Sequence, residues 1–117
     1  MSRVTLRFRY NQIRISTSLI KDIGAPEYIH IYMLKDTLKM YIRACEKDAD
    51  AFHVYRNGRV NPKNGFCISS LALMRILSSV MGLKDKDFCC NCNHRKVDSE
   101  TIEVDLFDYT PIEVRKM

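Results

Sequence analysis

The chain has 117 residues, which suits one ordinary domain and is too short for a multidomain enzyme. Hydrophobic residues make up 46% and charged residues 28%, a composition typical of globular proteins that excludes a disordered chain. No apolar run is long enough to cross a membrane. Because arginines also interrupt the apolar residues at the N-terminus, we expect no membrane span and no secretory signal, and hence a cytoplasmic protein.

Positive charge is concentrated in the first half of the chain. Residues 1–63 carry 12 basic and 6 acidic side chains, whereas residues 64–117 carry 7 and 8. The first 21 residues contain no acidic side chain. A one-sided basic surface attracts polyanions and binds phosphates with release of their counterions. The charge pattern therefore favours a nucleic-acid partner, although solubility alone also explains a basic surface.

The first predicted element is a strand over residues 4–10. Val4, Leu6, Phe8 and Tyr10 alternate with Thr5, Arg7 and Arg9. Strict alternation is typical of a half-buried strand, and Ile13 and Ile15 continue the pattern after a turn or bulge.

A short helix and a hairpin follow. Ser16 or Thr17 can cap the helix, and Gly24 ends it. Residues 28–34 and 38–43 are two alternating runs separated by three residues, which predicts a β-hairpin.

A charged segment at residues 46–50 is the candidate internal boundary. Beyond it, Asn57-Gly58 is a strong two-residue turn signal, because both central residues of such a turn need positive φ. The sequence therefore predicts a second hairpin that carries Arg56 and Arg59 at its tip.

The second half predicts a strand, a helix and another hairpin. Residues 66–70 indicate a short strand that leads into a capped helix, and Gly82 ends that helix. Residues 88–94 and 101–107 predict the hairpin. The apolar stripe of this helix consists of Leu73, Ile76, Leu77 and Val80, and we expect either the core or a partner to cover it.

The two halves repeat one order of elements. Residues 13–43 and residues 66–107 both run strand, hydroxyl cap, helix, glycine and hairpin. Ile15-Ser16-Thr17 corresponds to Ile68-Ser69-Ser70, and Gly24 corresponds to Gly82. One such unit leaves a sheet face and its edges uncovered, which a second unit can bury.

We therefore predict an α+β fold, a small pseudo-twofold β-barrel or sandwich built from two strand–helix–hairpin repeats. Its units are residues 1–50 and residues 66–110, joined by a basic hairpin or linker over residues 51–65. Together they are expected to form one compact domain.

The segment Ile13-Arg14-Ile15-Ser16-Thr17-Ser18-Leu19-Ile20-Lys21-Asp22-Ile23-Gly24, with the strand that follows it, resembles the AbrB/MazE/MraZ superfamily of swapped-hairpin transcription factors. The resemblance covers most of residues 4–44 and, more loosely, residues 66–107. It implies two units that close one small barrel, here within one polypeptide as in MraZ-like proteins. The Ile-Pro-Lys-Glu-Ile-Arg segment usual in the family is absent.

The resemblance implies a transcriptional regulator or an antitoxin-like repressor that binds double-stranded DNA. The side chains expected to contact DNA are Arg7, Arg9, Arg14, Lys21, Arg56 and Arg59. Arginine forks suit both phosphate oxygens and guanine edges. The alternative is a protein-interaction or assembly module of the same fold, including a homo-oligomer, which the near-neutral second half and the absent family segment favour.

The run Cys89-Cys90-Asn91-Cys92-Asn93-His94 places Cys90, Cys92 and His94 on one face of a strand. As metal ligands they lack the second distant pair that structural zinc sites usually have, whereas free cysteines are commonly buried. We therefore predict no metal, with these three residues as the alternative set. The sequence shows no Gly-rich phosphate loop and no paired catalytic carboxylates, so we expect no cofactor and no enzyme.

Overall fold

A computed structural model describes residues 2–34, 36–54, 65–84 and 87–112. Within these ranges the chain forms, in order, β1 (Val4–Arg7), β2 (Gln12–Ile15), α1 (Thr17–Asp22), β3 (Tyr28–Met33), β4 (Lys39–Cys45), β5 (Phe52–His53), β6 (Phe66–Ser69), α2 (Leu71–Met81), β7 (Cys89–Asp98) and β8 (Thr101–Pro111). The eight strands make one antiparallel, barrel-like sheet in the order β5-β3-β4-β8-β7-β1-β2-β6. At this level the predicted α+β barrel is confirmed.

The first strand is shorter than predicted. β1 ends at Arg7, and Phe8–Tyr10 form one turn of 3-10 helix that Asn11 ends with φ +53°. Asparagine tolerates this left-handed conformation better than most residues. β2 then runs antiparallel to β1, so the turn or bulge expected before Ile13 is the turn of a tight hairpin. Arg9 consequently lies in the turn, not on the strand face where the alternation places it.

Two of the predicted hairpins are present. β3 and β4 pair with Ile31 opposite Ile42, which puts the apolar positions of both strands on the inner face. The β7–β8 hairpin is longer than predicted, because β7 continues to Asp98 and β8 to Pro111. The hairpin predicted at Asn57-Gly58, including Arg56 and Arg59, lies outside the described residues.

The two helices begin differently. Ser70 caps α2, its hydroxyl oxygen accepting the backbone N–H of Leu73 at 3.2 Å, and Gly82 ends the helix with φ +67°. Ser16 precedes α1, but its hydroxyl oxygen accepts the backbone N–H of Arg3 at 2.9 Å. The Ser16 side chain therefore joins the helix start to the chain before β1.

The core covers only part of the apolar stripe of α2. Met74 and Leu77 are buried, but Ile76 is 51% exposed and Val80 is 38% exposed. Of the two covers that the sequence allows, the core and a partner, the core therefore does not enclose Ile76 and Val80. Positions 76 and 80 lie one turn apart on an exposed flank of α2.

One hydrophobic cluster joins the inner faces of the strands to both helices. Its fully buried members include Leu6, Ile13, Ile42 and Ile102 from the sheet, Ile20 from α1 and Leu77 from α2. Burying a side chain of this size contributes about 1.5–3 kcal/mol. Neither described helix has the length and apolarity that crossing a membrane requires.

Candidate nucleic-acid interface

Arg7 and Arg14 lie on the outer face of the β1–β2 hairpin. Arg7 is opposite Gln12, and Arg14 is opposite Thr5, while the residues between them point into the core. The two arginines are therefore diagonal neighbours on one face of the sheet, within reach of one another's long side chains. The outward alternation of this hairpin thus brings two of the predicted DNA-contacting residues together.

The turn adds Arg9 through an aromatic ring. The guanidinium carbons of Arg7 and Arg9 lie 4.4 and 5.6 Å from the centre of the Tyr10 ring. Arg7 Nη1 also donates to Gln12 Oε1 at 3.4 Å. Cation–π contact holds both guanidinium groups at the Tyr10 ring, at the end of the hairpin. We call Arg7, Arg9 and Arg14 the arginine cluster.

The arginine cluster has no acidic partner in the described part of the chain. None of its members forms an ion pair there, and Arg14 Nε is enclosed without a hydrogen-bond acceptor. An unpaired guanidinium group keeps its full charge for a ligand. The described residues therefore form no ion pair that would neutralise the arginines of the hairpin.

Lys39 on β4 and Arg95 on β7, by contrast, are both paired with a carboxylate. Glu103 accepts from Arg95 Nε at 2.9 Å, from Lys39 Nζ at 3.2 Å and from the Tyr41 hydroxyl at 3.0 Å. The hydrogen bond from Arg95, followed by those from Lys39 and Tyr41, outweighs desolvation and lowers the pKa of Glu103 to about 2. This carboxylate joins β4, β7 and β8 and uses the charges of its partners within the fold.

A cavity of about 350 Å³ extends the basic surface beyond the hairpin. It opens between the 3-10 turn and α2, and its lining includes the cations Arg9, Arg75 and Lys84. Asp87 is also part of the lining. Arg75 and Lys84 were not among the predicted site residues. The available signal was that Arg75 is the single charged residue of α2.

The remaining predicted cations are not gathered with this cluster. Lys21 is exposed on α1, and no contact described in the structure joins it to the arginine cluster. Arg56 and Arg59 belong to residues 55–64, which lie outside the described ranges. Of the predicted set, the structure thus brings together Arg7, Arg9 and Arg14.

The three residues of the alternative metal set, Cys90, Cys92 and His94, do not lie in one place. Cys90 and Cys92 point inward opposite Leu6 and Val4, with their sulfur atoms 4.0 Å apart. His94 follows a register shift in the β7–β8 ladder, and the ligand atoms of the three residues do not gather into a common group. The Cys90 thiol and burial raise the pKa of Cys92 far above its usual range. Cys92 is therefore a buried neutral thiol, as expected for a free cysteine on the inner face of a strand.

Comparison with protein-family models, with curated proteins and with solved structures finds no match to this chain.

Proposed function

We propose that the protein binds double-stranded DNA through the arginine cluster, as a transcriptional regulator or antitoxin-like repressor of the swapped-hairpin type. One observation carries this proposal: Arg7, Arg9 and Arg14 lie around one hairpin and make no ion pair with any described residue. Guanidinium groups in this state bind phosphate oxygens and release counterions from DNA. Arg75 and Lys84 at the neighbouring cavity add two further positive charges.

The strand order supports the two-unit architecture that the DNA proposal assumes. Each strand of the first half has a counterpart in the second half: β1 corresponds to β5, β2 to β6, β3 to β7 and β4 to β8. If every strand is replaced by its counterpart, the neighbours in the order β5-β3-β4-β8-β7-β1-β2-β6 stay the same, provided that the sheet closes into a ring. That ring requires β5 to meet β6, a contact absent from the described residues. The exchange makes β2 equivalent to β6 and β4 to β8. Both pairs are antiparallel neighbours, as two strands related by a twofold axis between them must be.

The charge does not follow this symmetry. The correspondence of Ile15 with Ile68 makes Arg14 equivalent to Cys67, and these two residues lie opposite one another in the β2–β6 ladder. One unit therefore carries an arginine where the other carries a cysteine. We infer that each chain reads one half-site and offers a single basic surface, in contrast to the paired basic surfaces of the swapped-hairpin family.

A binding assay on selected DNA tests the proposal. A duplex selected by the protein from a randomised library is labelled, and its affinity is measured by fluorescence anisotropy at several salt concentrations. The logarithm of the affinity should fall linearly with the logarithm of salt, with a slope of about −0.9 per phosphate contacted. Replacing Arg7, Arg9 and Arg14 by glutamine should weaken binding and reduce that slope.

Arg43→Gln is the matched control, because Arg43 is an exposed arginine on the outer face of β4. It should leave affinity and slope close to those of the unmodified protein. The proposal fails if the selection enriches no duplex, or if the variant with all three substitutions binds as well as Arg43→Gln does.

Self-association is the second candidate function, and the exposed flank of α2 favours it. Ile76 and Val80 present adjacent apolar side chains to solvent, and a second copy of the chain could bury them. Sedimentation velocity over a range of concentrations should then show a dimer that Ile76→Glu dissociates. Lys21→Glu, at an exposed position of α1, is the control. Sedimentation as a monomer throughout that range contradicts this candidate.

A further inference from the structure

Three side chains of metal-binding type meet on the outer face of the β3–β4 hairpin. His30 lies on β3, Cys45 ends β4, and Asp48 belongs to the loop that follows β4. Because Tyr28 is opposite Cys45, His30 and Cys45 are diagonal neighbours on the same face. A ring nitrogen of His30, the sulfur of Cys45 and a carboxylate oxygen of Asp48 all lie within 4.8 Å of one another.

His30 and Asp48 are in direct polar contact. His30 Nε2 lies 2.6 Å from Asp48 Oδ2. Nε2 is enclosed by the protein and faces this carboxylate oxygen. A metal ion that replaces the proton between these two atoms finds a nitrogen and an oxygen ligand already side by side, because metal binding releases protons from its ligands. The contact therefore holds two of the three ligand atoms next to one another.

The other carboxylate oxygen of Asp48 is already used. Asp48 Oδ1 accepts the backbone N–H of Asp50 at 2.8 Å, which leaves Oδ2 directed towards His30. A hydrogen bond of this kind orients a ligating carboxylate. Arg43 lies opposite His30 and disfavours a bound cation, but Asp98 interacts with Arg43 and offsets part of its charge.

We propose that His30, Cys45 and Asp48 bind one zinc ion. Imidazole nitrogen, thiolate sulfur and carboxylate oxygen are the ligand types that zinc takes, whereas calcium and magnesium prefer oxygen alone. Zinc bond lengths place tetrahedral ligand atoms about 3.3–3.6 Å apart, so Nε2 and Oδ2 need to separate by about 1 Å or less. Three protein ligands leave the fourth position for water or another ligand. The ion would fasten the loop at residues 46–50 to the β3–β4 hairpin.

Cobalt(II) is a suitable probe, because a thiolate ligand gives it a near-ultraviolet charge-transfer band and a tetrahedral site gives it intense visible bands. The full chain, stripped of metal by a chelator, should bind one Co²⁺ with both signatures, and Zn²⁺ should displace it. Cys45→Ser should abolish the charge-transfer band. Cys67→Ser, which changes an exposed cysteine on β6, should leave the band unchanged. His30→Gln and Asp48→Asn should each weaken Co²⁺ binding by more than about tenfold.

Circular dichroism without metal shows whether each variant folds. Added Zn²⁺ should raise the thermal midpoint of the unmodified protein and of Cys67→Ser, but not that of Cys45→Ser, because only a ligand of the native state stabilises it. The proposal is overturned if the unmodified chain binds no stoichiometric metal or if the band survives in Cys45→Ser. It is equally overturned if Cys92→Ser abolishes the band, since the metal would then lie at the buried cysteine pair. None of these outcomes concerns DNA.

Discussion

The guanidinium carbon of Arg7 lies 4.4 Å from the centre of the Tyr10 ring, and Arg9 approaches the same ring at 5.6 Å. Tyr10 is 47% exposed, so its ring holds two cations at the surface of the β1–β2 turn. A ring contact of this kind restricts the arginine side chains before any ligand arrives. Less conformational freedom then remains to be lost when the guanidinium groups bind.

Tyr10→Leu should therefore weaken binding to the selected duplex by about two- to fivefold. This is the effect of losing about 0.5–1 kcal/mol of exposed cation–π contact. The salt slope should stay the same, because the number of phosphate contacts does not change. Fluorescence anisotropy measures both quantities, with Tyr32→Leu on β3 as the control. A change in slope, or an equal loss in Tyr32→Leu, would contradict the role assigned to the Tyr10 ring.

The Glu103 carboxylate should contribute to stability in a pH-dependent way. Its hydrogen bonds lower its pKa in the folded state from an ordinary 4.5 to about 2. At pH values between about 2 and 4.5 the unfolded chain binds more protons than the folded chain. The stabilisation by Glu103 is therefore present above pH 4.5 and is lost as the pH falls towards 2. Urea unfolding at a series of pH values should show a shallower loss over this window in Glu103→Gln. Glu100→Gln, in the exposed β7–β8 turn, should lose stability with falling pH as the unmodified protein does. If the free energy of unfolding depends on pH equally in all three proteins, the role assigned to Glu103 is contradicted.

Gly65 and Gly82 should differ in their tolerance of alanine. Both have positive φ, +69° and +67° respectively. A Cβ on Gly65 would overlap the backbone carbonyl oxygen of Ile15, whereas a Cβ on Gly82 meets nothing within 4 Å. Gly82→Ala should therefore cost only the left-handed conformation, about 1–2 kcal/mol. Gly65→Ala should lower the free energy of unfolding, measured in urea, by clearly more. Equal losses in the two variants would contradict the close approach of Gly65 to the backbone of Ile15.

The two neighbouring positions Ile76 and Leu77 provide a test of how α2 packs. Leu77 is fully buried, so Leu77→Ala should lower the free energy of unfolding by about 2–5 kcal/mol. Ile76→Ala should change it by no more than about 0.5 kcal/mol, because that side chain is mostly in solvent. Chemical unfolding of both variants at one pH provides the comparison. A large loss at Ile76 would mean that this residue faces the core.

The local sequence pattern was sufficient to predict the elements whose limits are set by residues close together in the chain. The β3–β4 hairpin was predictable because Ile31 and Ile42 each belong to an alternating run separated by a short connection. The start and end of α2 were predictable because Ser70 and Gly82 each supply a local solution for the helix ends. These signals depend on neighbours within a few residues.

The misjudged elements depend on distant partners. The alternation of residues 4–10 continues past Arg7, but the backbone N–H of Phe8 donates to Phe88 at 3.0 Å and the chain turns there. The apolar stripe of α2 is wider than the surface that covers it, so Ile76 remains exposed. Neither Phe88 nor the width of the covering surface can be read from the segment itself.

For the candidate sites, the residues alone determined which arginines point outward from β1 and β2, because alternation is a property of each strand. Which side chains meet was decided only by the tertiary structure. Arg9 reaches the cavity of Arg75 and Lys84, and His30 reaches Cys45 and Asp48, through the register of strands and the packing of α2. Register and packing follow from the burial of the whole apolar core at once, so no local stretch of sequence contains them.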